Sequence, residues 1–139
     1  MLTFEIRVQG ALLGTIRADG LIIASPTGST GYAASAGGPI VEPTSPVIII
    51  TPIASHTLTV RPVIVPEWYE IELRITNEGG TPALIVADGQ EEVVAETPAL
   101  VRLSGHPNKL QLLRRSNHTS FALLRTKLPC SSDAREGRS

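Results

Sequence analysis

The sequence predicts a mainly β protein: an antiparallel β-sandwich with one short helix behind a loop rich in Gly, Ser and Thr. Three observations point there. Twelve Gly and eleven Pro are spread among Ile, Val and Thr, which is the composition of many short strands joined by turns. Two stretches alternate with period 2. Leu2, Phe4, Ile6 and Val8 oppose Thr3, Glu5 and Arg7, and Tyr69, Ile71, Leu73 and Ile75 oppose Glu70, Glu72 and Arg74. Finally, Asp19-Gly20, Asn77-Glu78-Gly79-Gly80 and Asp88-Gly89 stand between apolar runs as turn signals.

Taken in order, Leu2 to Val8 is a half-buried strand with one apolar face. Gly10 and Gly14 flank a short apolar stretch, and a second strand is expected over 15–18. Asp19-Gly20 leads into Leu21-Ile22-Ile23-Ala24, a run with no polar side and therefore a strand buried on both faces. From Ser25 to Pro39 the residues turn small. Ser29 or Thr30 is placed to cap a short helix from Tyr32 to Ala36, which Gly37-Gly38-Pro39 would end. Strands are then expected over 47–51, 62–65, 69–75, 83–87, 100–103 and 109–113. Phe121, Leu124 and Leu128 have helical spacing, so a closing turn or two of helix is expected there. The organisation expected is one domain over 1–128 and a disordered polar tail over 129–139.

Composition narrows the function. At 139 residues there is room for one core. With 42% hydrophobic and 18% charged residues the chain is too apolar for disorder, and a net charge of −1 lacks the basic excess that nucleic acid requires. One cysteine, Cys130, excludes an internal disulfide framework and a cysteine-rich zinc site, which fits a reducing cytosol. The longest obvious apolar run, Val47-Ile48-Ile49-Ile50, is far short of the roughly 20 residues that span a bilayer. The alternating N-terminus is unlike a signal peptide. A soluble cytoplasmic protein is expected.

Three places could carry chemistry. In the 25–38 loop, small residues let a ligand touch backbone, Thr27, Ser29, Thr30 and Ser35 offer hydroxyls, and a helix start offers N–H groups. The spacing is neither the Walker lysine loop nor the three-glycine dinucleotide fingerprint, and a close-packed turn between helix and sheet explains the composition equally well. The second place is the proline-flanked stretch holding His56 and Arg61, where a structural histidine is the plainer reading. The third is Asp19 and Asp88, with Gln90 beside the latter. Turn chemistry accounts for both aspartates, and a paired-carboxylate hydrolase requires that they meet. No Ser/His/Asp elbow, histidine pair at helical spacing or calcium loop occurs.

The stretch from Ala18-Asp19-Gly20 through Ser25-Pro26-Thr27-Gly28-Ser29-Thr30-Gly31-Tyr32, with Ser35-Ala36-Gly37-Gly38-Pro39-Ile40 after it, resembles the NAD kinase family. So do Thr51-Pro52-Ile53 with His56, Leu58, Arg61 and Pro62, then Asp88-Gly89-Gln90, then Leu124-Arg125-Thr126-Lys127-Leu128. These motifs stand in family order and reach to about Leu128. Gly31 replaces the alanine usual in the family, and Ala54-Ser55 stands where a proline commonly precedes the histidine.

The resemblance implies phosphorylation of the adenosine ribose 2′-hydroxyl of NAD by ATP or polyphosphate, giving NADP, with Mg²⁺ or another divalent cation serving the complete enzyme. It implies that this chain is the family's C-terminal β-sandwich without the N-terminal α/β domain. The NAD-binding residues would be Arg17, Asp19, Thr30, Gly31, Tyr32, Ala33, Ala34, Ser35 and Gln90, with Tyr32 against a base or nicotinamide ring and Arg17 and Asp19 often acting across a subunit boundary. Thr27, Gly28, Ser29, His56, Arg61 and Asp88 would be structural or adjacent to the site. The family's Gly-Gly-Asp-Gly motif, whose aspartate is the general base, occurs nowhere in the chain. The Asn-Glu pair that grips the dinucleotide would precede Met1, and Asn77-Glu78 reads as a turn. No residue of the chain is then a general base. Asp19 could stand in only within about 3 Å of the ribose hydroxyl, and no metal ligands are assigned. The expected partners are NAD or NADP, further copies in a homodimer or homotetramer, and the N-terminal kinase domain in cis or trans. The alternative is a non-catalytic dinucleotide-binding or oligomerisation module, or a remnant, that needs a separate N-terminal half. A lipid or sugar kinase relative is disfavoured by the Asp19–Tyr32 and His56–Arg61 patterns.

Overall fold

The computed structural model describes residues 1–56, 60–111 and 113. The chain divides into two compact units, Met1–Pro107 and Asn108–Ser139, and every described strand lies in the first. In chain order these are β1 (Leu2–Val8), β2 (Ala11–Ala18), β3 (Gly20–Ala24), β4 (Val47–Ile53), β5 (Val63–Pro66), β6 (Ile71–Thr76), β7 (Ala83–Ala87), β8 (Glu91–Ala95) and β9 (Ala99–Leu103). Between β3 and β4 come a 3-10 turn, Thr27–Thr30, and a one-turn helix α1, Tyr32–Ser35. Every strand pairing is antiparallel.

The period-2 pattern of the first segment is what builds the larger sheet, ordered β2-β1-β6-β9. The β1–β6 register sets Phe4 opposite Ile75, Ile6 opposite Leu73 and Val8 opposite Ile71, so apolar side chains meet on one face. On the other face Glu5 lies opposite Arg74 and Arg7 opposite Glu72, and the Arg102 guanidinium donates to Glu72 at 3.0 Å. An exposed ion pair of this kind contributes about 0–1 kcal/mol. β2 begins four residues before the expected 15–18 span. Gln9 and Gly10, both at positive φ, close a two-residue turn that pairs Val8 with Ala11 and draws Leu12 and Leu13 into the strand.

β3-β4-β5 form the second sheet. Its inward side chains, Leu21, Ile23, Ile48, Ile50, Val63 and Val65, pack on Phe4, Ile6, Ile71, Leu73 and Ile75 of the first sheet in one core. On its outward face Ile22, Ala24 and Ile49 pack with Ala33 of α1 and with Val41. β3 is thus covered on both sides, as its lack of polar residues predicts. The sandwich expected from the strand pattern is the fold observed.

Asp88 (φ 51) and Gly89 (φ 68) turn β7 into β8, with the Gln90 N–H donating to the Ala87 carbonyl at 3.0 Å. β8 was absent from the expected strands because Glu91-Glu92-Val93-Val94-Ala95 carries charge and no alternation. Ala83 reaches the core, but Leu84, Val86, Val93 and Val94 are 47–68% exposed. At the β5–β6 turn Trp68 meets Tyr69 edge to face with ring centroids 6.3 Å apart, and the indole is 65% exposed.

Two expectations need correction. The residues described in 109–113 form no strand, and Pro107 and Asn108 just before them are a bend. Asp19-Gly20 is not a hairpin turn: neither residue has positive φ, and β2 and β3 belong to different sheets, so Asp19 marks the corner where the chain crosses between them. The expected closing helix around Phe121–Leu128 and the 129–139 tail lie outside the described residues.

Candidate functional site

The β3–β4 register sets the floor of the candidate site. Gly20 pairs with Ile53, Ile22 with Thr51 and Ala24 with Ile49, so these six residues share the outward face of the β3-β4-β5 sheet. The segment after β3 folds back over this face. It is a chain of tight turns: Ser29 N–H donates to the Pro26 carbonyl, Gly31 N–H to Gly28, Ala34 N–H to Gly31 and Ala36 N–H to Tyr32, at 3.0–3.1 Å. Bulky residues would not permit such close winding, and Ala33 at 1% exposure packs directly on Ala24 and Ile49.

Ser29 does not cap α1. The residue before the helix is Gly31, and no side chain bonds the helix start. Instead Ser29, fully buried, donates its hydroxyl to the Pro26 carbonyl at 2.6 Å and accepts the Val41 N–H at 3.1 Å, pinning the loop to the segment that returns toward β4. Thr30 donates to the Thr27 carbonyl at 3.3 Å and is exposed. Ser29 and Ala33 thus face inward and Ala34 is part-buried. Thr27, Gly28, Thr30, Gly31, Ser35 and Tyr32 (85% exposed) form the outward surface.

At the Gly20–Ile53 end of the same floor lies the sheet-crossing corner. Asp19 N–H donates to the Ile53 carbonyl and His56 N–H to the Arg17 carbonyl, each at 3.1 Å. Backbone bonds therefore gather Arg17, Asp19 and His56, about 13 Å along β3 from the Ala24 end at ~3.3 Å per residue. All three side chains are exposed. Arg17 makes a loose 3.7 Å pair with Glu78, while the Asp19 carboxylate has no hydrogen bond or ion pair among the described residues. Glu78 belongs to a turn built by Asn77, which accepts from Gly79 N–H and donates to the Thr81 carbonyl, so Asn77-Glu78 is turn chemistry as expected.

Other candidates take no part in the bonds that build this corner. Asp88 and Gln90 sit at the exposed β7–β8 tip, and no hydrogen bond or ion pair among the described residues links them to the corner. Arg61 borders a different hollow, an apolar cleft of about 250 Å³ lined by Ile6, Ile16, Ile50 and Val63. The sequence reading gave Thr51 no role of its own in the site. Thr51 is the polar position in an otherwise apolar strand stretch, and that was the available signal. Among the described residues no three His, Cys, Asp or Glu side chains gather in one place.

The ATP-NAD kinase C-terminal domain model matches residues 1–115. The chain belongs to that family. It is 41% identical over 136 residues to an NAD kinase of Bacteroides fragilis, covering 97% of this chain and 46% of the relative. It is 40% identical over 128 residues to the NAD kinase of Moorella thermoacetica, covering 92% and 41%. Among solved structures, yeast NADH kinase complexed with NADH superimposes with a TM-score of 0.87 at 25% identity, over 99% of this chain and 42% of that one. An NAD kinase from Archaeoglobus fulgidus in complex with ATP gives a TM-score of 0.61 at 36% identity over 73% of this chain and 42% of that one. The chain therefore spans less than half the length of these NAD kinase relatives. No described helix is long and apolar enough to cross a membrane.

Proposed function

We propose that this chain supplies the dinucleotide-binding half of a cytoplasmic NAD kinase, an enzyme that transfers a phosphoryl group from ATP to the adenosine ribose 2′-hydroxyl of NAD. The observation that carries the reading is the outward β3–β4 face in a chain of this family. It is roofed by small residues that expose backbone and Tyr32, and bounded at its far end by Arg17 and Asp19. Thr30, Gly31 and Ser35 line the approach, and Tyr32 stacks on a ring of the dinucleotide. Ala33 and Ala34 hold the turn. Gln90, at the β7–β8 tip, would meet the dinucleotide in this chain or from a second copy.

Phosphoryl transfer depends on positioning and on neutralising the developing charge. This chain's residues bind and orient the acceptor. The metal-bound triphosphate and the general base belong to the Gly-Gly-Asp-Gly half, in cis or trans. Calorimetric titration tests the reading. NAD binds the wild-type chain saturably, and Tyr32→Ala weakens it by about 1–3 kcal/mol, roughly 5- to 140-fold in Kd. Equal affinities for the two proteins refute the placement of Tyr32.

A second reading, as an assembly module, is favoured by one observation: Leu84, Val86, Val93 and Val94 leave both faces of the β7–β8 ribbon apolar and exposed. Light scattering at tens of micromolar is expected to show a homodimer or homotetramer. A monodisperse monomer would remove this reading.

A further inference from the structure

One polar group on the floor of the site is buried with its hydroxyl unaccounted for. Thr51, fully buried in β4, has an Oγ1 without a hydrogen-bond partner among the described residues. Above it runs the turn that ends α1. Gly37 reverses the chain at φ +81, and the Gly38 N–H donates to the Ala33 carbonyl at 2.8 Å. This pulls Gly38 down between helix and strand. A Cβ on Gly38 would stand 2.8 Å from Thr51 Oγ1 and 2.7 Å from the Ala33 oxygen, closer than a Cβ approaches its neighbours in folded chains.

An unpaired buried hydroxyl is unfavourable, and valine has the shape of threonine without that penalty. What threonine offers instead is closeness, because an oxygen is smaller than the methyl group that would replace it and lets the Gly38 turn settle lower on β4. We propose that Thr51 is a positioning residue. Its oxygen sets the height at which Gly38, and with it the Thr30–Ser35 surface, rests over the sheet, and so where Tyr32 and Ser35 meet the dinucleotide. The part concerning NAD rests on the function proposed for this loop; the seating of Gly38 does not.

Thr51→Val and Thr51→Ser in the full chain test this, read by amide hydrogen exchange and by NAD titration. In Thr51→Val the Ala34, Ala36, Gly37 and Gly38 amides, all bonded within the turn, are expected to exchange about tenfold faster. NAD Kd should rise by about tenfold while the urea midpoint stays level or rises. Thr51→Ser should keep both within about twofold of wild type. Wild-type exchange in Thr51→Val overturns the proposal, as does Thr51→Ser shifting as far as Thr51→Val or a midpoint loss shared by both. Faster exchange in Thr51→Val alone, from a wild-type chain that takes up no NAD, supports the Gly38 seat and refutes the dinucleotide reading separately.

Discussion

Ile6→Ala is expected to lower the unfolding free energy of the Met1–Pro107 unit toward the upper end of the about 2–5 kcal/mol typical of such truncations. Ile6 is fully buried at the centre of β1, opposite Leu73 on one side and Gly14 on the other. Gly14 has no side chain to move into the vacated space. The remaining walls, Ile16, Ile50 and Val63, are β-branched and stiff at χ1. The apolar cleft already beside them would merge with the new void rather than collapse. Domains commonly hold about 5–15 kcal/mol in all, so a sizeable share of the stability goes with one side chain. Urea unfolding followed by far-ultraviolet circular dichroism should show a lower midpoint at unchanged slope. A loss under about 1 kcal/mol would mean that the two sheets do not close over Ile6.

The second large effect is expected at Ser29→Ala, at about 1–3 kcal/mol. One hydroxyl proton cannot serve two acceptors, so the 2.6 Å donation to Pro26 leaves the oxygen lone pairs for Val41 N–H. Alanine removes both bonds and strands the Val41 N–H in a half-buried position. Val41 also packs on Ala24, Ala33 and Ile49, so the small outer cluster should loosen with it. Hydrogen exchange locates the damage: the Val41 amide should lose protection while the Ile6 and Leu73 amides of the main sheet keep theirs. Unchanged protection at Val41 would show that its backbone is held by something other than Ser29.

The contrast between these residues shows what a single sequence can display. Ile6 was legible because alternation in β1 is local, and the two-sided burial of β3 was legible from four consecutive apolar residues. Ser29 was not. As a hydroxyl before a short helical stretch it looks like a cap, and only the return of Val41, twelve residues on, makes it a clamp. The two Asp-Gly pairs make the same point. One is a hairpin turn and the other a crossing between sheets, since local chemistry does not say whether the next strand pairs with the last. For the site, the residues came from resemblance to a family. That Arg17 and Asp19 close the end of a floor roofed by the Tyr32 turn follows from the β3–β4 register, which no residue-by-residue pattern contains. Thr51 was hidden for the same reason, because its parity with Ile49 and Ile22 decides which face it joins.

The chain's one tryptophan has an optical consequence. Trp68 projects into solvent at the β5–β6 turn, while the described core it flanks is aliphatic apart from Phe4 and the Tyr69 packed against it. Its emission in the native chain is therefore expected to be that of a hydrated indole, with the Tyr69 ring 6.3 Å away close enough to pass on excitation energy. Unfolding leaves such an indole almost as wet as before, so the interior can come apart with little change of colour. A blue shift, in contrast, records the covering of one particular corner. The molecule carries a built-in dye for events on its surface.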